Sequence, residues 1–128
     1  MSSKTSPKTD TQESGCVVPC AGIENRIWHA WDNVMPPPPN SFHVTGEVYV
    51  PNPGVVPTLA PRMPQGINPT ILLLDLVLVQ QPGVWPRVFT WKTVRYDLTY
   101  RDGTSGYTSV NIFCDNEAIA DIPVQIVE

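Results

Sequence analysis

The sequence predicts an all-β fold: an antiparallel β-sandwich of about six or seven strands, immunoglobulin-like in outline, with a small β-barrel as the alternative. Three observations carry this. Apolar and polar residues alternate with the two-residue period of a strand in several short segments. Proline, glycine and asparagine break the chain between those segments. Proline itself occupies 15 of 128 positions, and each one inside a helix would cost ~3 kcal/mol, which argues against a helical bundle. The Cys…Trp…Cys spacing of antibody domains is missing.

Residues 1–15 read as a disordered polar tail. They hold no large apolar residue after Met1, so nothing there offsets the entropy of ordering. Residues 16–128 then form a single domain, long enough to build a core without a metal or disulfide staple.

Ile23 to Val34 can be read in two ways. Ile23, Ile27, Ala30, Trp31 and Val34 recur at helical spacing. Ile27, His29 and Trp31 also alternate as in a strand, and the all-strand setting favours that reading, with a helix over residues 22–34 left open. The run Pro36–Pro39 predicts a stiff polyproline II connector of ~3.1 Å per residue.

Phe42 to Val50 is the cleanest strand. Phe42, Val44, Gly46, Val48 and Val50 share one face, while His43, Thr45, Glu47 and Tyr49 share the other. Pro51-Asn52-Pro53-Gly54 ends it in a turn. Ile71 to Val79 is apolar on both faces apart from Asp75, which suits a strand covered on both sides. Along Val88 to Tyr100, Phe89 and Trp91 set one phase and Val94, Tyr96, Leu98 and Tyr100 the other. That predicts a bulge or a corner near Lys92–Thr93. Arg101-Asp102-Gly103-Thr104 reads as a hairpin turn. Val110, Ile112 and Cys114 alternate before a turn at Asp115-Asn116-Glu117, and Ile122, Val124 and Ile126 alternate after it. Pro123 lacks an amide donor, so the last strand should lie at an edge or carry a bulge.

Several function classes drop out. The net charge is −4, and eight Lys and Arg are scattered along the chain, which leaves no basic stripe for nucleic acid. No apolar run is long enough to span a membrane. The polar start lacks the apolar centre of a secretory signal, so the expected location is cytoplasmic. The three cysteines, Cys16, Cys20 and Cys114, are then expected as reduced thiols. There is no phosphate loop, nucleophile elbow or zincin motif, and no cofactor is implied.

The candidate chemistry is sparse. Cys16 and Cys20 have a spacing compatible with half of a zinc site, with His29 and His43 as the only histidines to complete it. Nothing pairs those histidines, so no metal is expected. A disulfide between Cys16 and Cys20 would close a loop too short to gain much. Asp75 interrupts an apolar run and, with His43 and His29, could serve a small enzyme or ligand-binding cup around an apolar cavity. Glu47 stands ~13 Å along the strand from His43, too far for a direct dyad.

Aromatics give the stronger lead. Trp28, Trp31, Trp85 and Trp91 are candidate binding residues, because large rigid rings dominate interfaces. Trp85 stands out, sitting in a proline–glycine loop where core burial is least expected. The sequence therefore points to a non-catalytic interaction module. Its Trp- and Pro-rich loops would bind a protein partner or a second copy of the chain, with a small apolar ligand as the alternative.

Overall fold

A computed structural model describes residues 16–101 and 103–128; the tail predicted over residues 1–15 lies outside the described residues. The chain is all-β. Its strands are β1 (Cys16–Val18), β2 (Asn25–Asn33), β3 (Asn40–Val50), β4 (Val55–Pro61), β5 (Ile71–Gln80), β6 (Thr90–Tyr100), β7 (Ser109–Cys114) and β8 (Glu117–Val127). They form one curled mixed sheet in the order β1-β5-β7-β8-β2-β3-β6, with β4 on the other edge of β5. The purely antiparallel arrangement expected from the sequence is not what forms, because β5 runs parallel to β7 and β2 runs parallel to β8.

Strand β8 explains how one sheet can curl around a core. Its first half pairs with β7 through Pro123, and its second half pairs with β2 from Val124 onward. Pro123 falls at the handover, where a missing amide donor interrupts no continuing ladder. The sheet thereby bends back until β4 and β6 lie against each other without pairing.

The concave side is filled by the phases the sequence marked. Phe42, Val44, Val48 and Val50 from β3 meet Leu72, Leu74, Leu76 and Leu78 from β5, with Val94, Val110, Ile112 and Ile122 around them. Burying each of these side chains contributes roughly 1.5–3 kcal/mol. The outer side of β5 is only half-covered, so the expectation of a strand buried on both faces fails. Glu117 follows a tight Asp115–Asn116 turn with both residues at positive φ, the geometry of a two-residue hairpin that matches strand twist.

Within Ile23–Val34 the favoured strand reading holds over Asn25–Asn33, and Ile27 takes φ 50° at a bulge between Arg26 and His29. Other expectations are corrected. No bulge occurs near Lys92–Thr93, since β6 pairs with β3 in unbroken register; the two phases are simply the two faces, with Trp91 outside and Val94 inside. β6 and β7 are not paired, so Arg101–Thr104 is a crossover rather than a hairpin, and Asp102 lies outside the described residues. The proline run bends over Pro36–Pro38 and does not continue as an extended connector. Cys20 and Cys114 are not free thiols. They form a disulfide that ties the β1–β2 connection to the end of β7.

Candidate functional site

The loop between β5 and β6, residues 81–89, is short of places to bury itself. Val84, Trp85, Val88 and Phe89 are all exposed large apolar residues, with Trp85 39% and Phe89 57% accessible. Single exposed apolar side chains are ordinary, but four in one loop form a patch that soluble domains usually reserve for contacts.

Trp85 is exposed yet held. Its indole N–H donates to the Gln81 carbonyl at 3.0 Å. Its ring lies on Gly54, where an added Cβ would come within 2.3 Å of it. Gly54 is fixed in turn: its N–H donates to Asn52 Oδ1 at 2.9 Å, and its carbonyl accepts the Gln81 N–H at 2.8 Å. Asn52 and Gln80 exchange side-chain amide hydrogen bonds at 2.8 and 3.0 Å. The Pro51–Gly54 turn and the Trp85 loop are thus clamped together, so the ring is presented at little entropic cost.

Two clefts open beside this clamp. One, of about 360 Å³, runs over Pro19, Ile23, Tyr49 and Leu78, with Glu24 at its rim. The other, of about 450 Å³, is walled by Trp85 and Asn52, with Arg87 at its rim. Pro51 and Phe89 line both, so the two clefts make one groove with a ridge in the middle. Phe89 stacks on Tyr49 at 5.2 Å, and Tyr49 packs against Trp91 at 4.8 Å. The Arg26 guanidinium covers Trp91 at 3.7 Å and is pinned by Glu47 at 2.8 Å. The Cys20–Cys114 bridge fixes one wall of the first cleft, because Cys20 lines it.

The four candidate tryptophans separate. Trp85 and Trp91 belong to the groove and its aromatic margin. Trp28 packs against the core over Gly46, where a Cβ would come within 2.3 Å of its ring, and donates to Asn25 Oδ1 at 2.8 Å. Trp31 lies on the outer face of the sheet, next to His43 at 5.1 Å.

The alternative set does not assemble as a unit. Asp75 points away from the core on β5 and pairs with Arg62 at 2.7 Å. His29 and His43 stand on the outer faces of β2 and β3, with β7, β8 and β2 intervening between β5 and β3 in the sheet. The space enclosed by the sheet is filled with core side chains, so the apolar cavity expected around Asp75 and the histidines is not formed by them. The Cys16–Cys20 metal reading fails because Cys20 is bonded to Cys114, leaving Cys16 exposed and free.

His43 instead meets residues that sequence reasoning passed over. Its Nδ1 lies 2.6 Å from Asp97 Oδ1, and its Nε2 lies 2.7 Å from Ser41 Oγ. Arg95 donates to both Asp97 oxygens at 2.9 Å. The Arg95 hydrogen bonds come first and the His43 contact second among the attractions that hold the Asp97 carboxyl down at about 2, against a smaller opposing effect of burial. Ser41 and His43 share the outer face by alternation, which is legible in the sequence; Asp97 joins them only through the β3–β6 register.

Comparison with protein-family models, with curated proteins and with solved structures finds no match to this chain.

Proposed function

We propose that the chain is an interaction module whose groove takes an extended, proline-containing segment of a partner protein. The observation that carries this is the clamped Trp85 ring, a preformed aromatic wall of one cleft, next to the Pro51–Phe89 ridge that this cleft shares with its neighbour. Grooves of this make suit polyproline II ligands, which are already extended and present ring pairs at a three-residue repeat. Glu24 in the lining of one cleft and Arg87 in that of the other support a fixed ligand direction. The groove is non-catalytic on this reading: its lining offers contact area and two opposite charges. We read the curled sheet as an open β-sandwich in which β4 and β6 face each other across the seam.

The disulfide supports an oxidising compartment as the working location in place of the cytoplasm, since such bridges persist there. No helix among the described residues is long and apolar enough to cross a membrane.

Selection from a random peptide display library on the immobilised, oxidised full chain tests the reading, with the Trp85→Ala variant as counter-screen. Enriched peptides should carry prolines at a two- or three-residue spacing and be lost on the variant. Peptides without proline, or peptides retained equally by Trp85→Ala, would overturn it. Self-association without any peptide would transfer the groove to a second copy of the chain. A small apolar molecule displacing the peptides would transfer it to a ligand-binding role.

A further inference from the structure

The outer face of β3 carries a second arrangement ~20 Å along the strand from Tyr49. His43 there bridges a carboxylate and a hydroxyl, with 2.6 Å from Nδ1 to Asp97 Oδ1 and 2.7 Å from Nε2 to Ser41 Oγ. We propose that Ser41 is a base-activated nucleophile for acyl transfer, with His43 as its base and Asp97 as the group that orients that base.

The hydrogen-bond directions follow from the partners. The Asp97 carboxylate can only accept, so the neutral ring carries its proton on Nδ1. The Nε2 lone pair is then left to accept the Ser41 hydroxyl proton. Both distances fall within the range required between a nucleophile and its base, and between the base and its orienting group. The arrangement is held from several sides. Arg95 grips Asp97 by two bonds, Trp31 packs beside the imidazole, and β6 keeps Asp97 directly opposite His43.

The backbone amides of β3 are engaged on both edges by β2 and β6, so they form no oxyanion hole. Asn33 is the candidate donor in their stead. It lies directly opposite Ser41 on β2, and its Oδ1 accepts the Met35 N–H at 3.1 Å, leaving the amide N–H groups to donate. A side-chain donor aimed at the oxyanion is worth about 10²–10³ in rate. A shallow depression of about 310 Å³, lined by His29, Trp31, Thr45, Gln125 and Val127, lies on the Trp31 side of His43.

The substrate class is a small ester with a good leaving group. Ser41 Oγ bonds to the acyl carbon while its proton passes to His43 Nε2. The ester C–O bond breaks and the leaving alcohol or phenol takes that proton. Water then adds to the acyl carbon of acyl-Ser41, giving its proton to Nε2. The Ser41 ester bond breaks, Oγ recovers a proton from Nε2, and a carboxylic acid departs. No redox partner is needed.

The oxidised full chain, treated with a fluorophosphonate and separately with p-nitrophenyl acetate, tests this. One adduct per chain should form and map to Ser41, not to Ser105 or Ser109. Ser41→Ala, an outward-facing change, should fold normally and lose the adduct. His43→Gln should slow labelling by about 100-fold or more. Asp97→Asn should slow it at least about tenfold while Ser41 remains the labelled residue. Asp97→Asn should also change how the labelling rate depends on pH; Arg95, His29, Glu47 and Arg26, which pairs with Glu47, are the other charged or ionisable groups on that outer face. Absence of a Ser41 adduct, or equal labelling of folded His43→Gln, would overturn the assignment and leave a structural hydrogen-bond chain.

Discussion

Tyr100 donates its hydroxyl to Oδ1 of Asp32 across 2.6 Å, joining the end of β6 to a fully buried carboxyl on β2. Ser105 completes the set, its N–H at 3.2 Å from Oδ1 and its hydroxyl at 2.9 Å from Oδ2. A buried carboxyl without such donors would be strongly destabilising. Tyr100→Phe should therefore cost on the order of 1–2 kcal/mol, a hydrogen bond to a charged group discounted for partial exposure. Burial first, and the Asp32 contact second, push the Tyr100 hydroxyl up to about 12 from an ordinary 10. A raised value means the contribution is complete below pH 10 and is lost as pH rises toward 12. Urea unfolding across that range should show a decline in the native chain and a flatter profile in Tyr100→Phe.

The Cys20–Cys114 bridge closes a loop with a sequence separation of 94. In the chain-entropy account a loop near that size is worth up to about 4.7 kcal/mol, and native bridges in small domains give roughly 2–5. Reduction should lower Tm by several degrees or more, and the Cys20→Ser, Cys114→Ser double variant should melt at the lower temperature and ignore reductant. Thiol titration of the native oxidised chain should find Cys16 alone.

Gly54→Ala should unseat Trp85. The new Cβ would lie 2.3 Å from the indole Cε2, and overpacking of this kind costs about 1–3 kcal/mol. Here the ring can swing into solvent, so the expected signature is a red-shifted Trp emission with weakened peptide binding and a modest Tm loss. Gly46→Ala meets Trp28 at the same 2.3 Å, but against the core, so the same change there should appear chiefly as lost stability.

Asp97 makes a further prediction at acid pH. Arg95 chiefly, and His43 next, lower its carboxyl to about 2 from 3.8. A depressed value means the contribution is present above pH 3.8 and fades as pH falls toward 2. Denaturant midpoints measured between pH 5 and 2 should fall more steeply in the native chain than in Asp97→Asn. The difference should be small because the pair is partly exposed and screened.

Strands with clean alternation were legible. Phe42–Val50 needed only its period, because one face meets the core and the other meets water. Ile23–Val34 was ambiguous for a physical reason: the bulge at Ile27, with its positive φ, shifts the phase so that apolar residues fall at helical spacing. The parallel pair β2/β8 depends on how β8 changes partners, and β5/β7 on the chain passing through β6 in between, neither of which a local pattern encodes. The same holds for Cys20 and Cys114, brought together only by the curled sheet, and for Asp97, which reaches His43 through register. Trp85 was legible because proline and glycine on both sides deny it a strand in which to hide; its clamp on Gly54 was not.

The most direct measurement of the central claim is an amide and indole NMR titration of the oxidised full chain with decaproline. The account predicts saturable shifts at the Trp85 indole, Gln81, Gly54 and Phe89, absent in folded Trp85→Ala. No shift at millimolar peptide, or shifts centred on Trp31 and the outer face of β2, would contradict it.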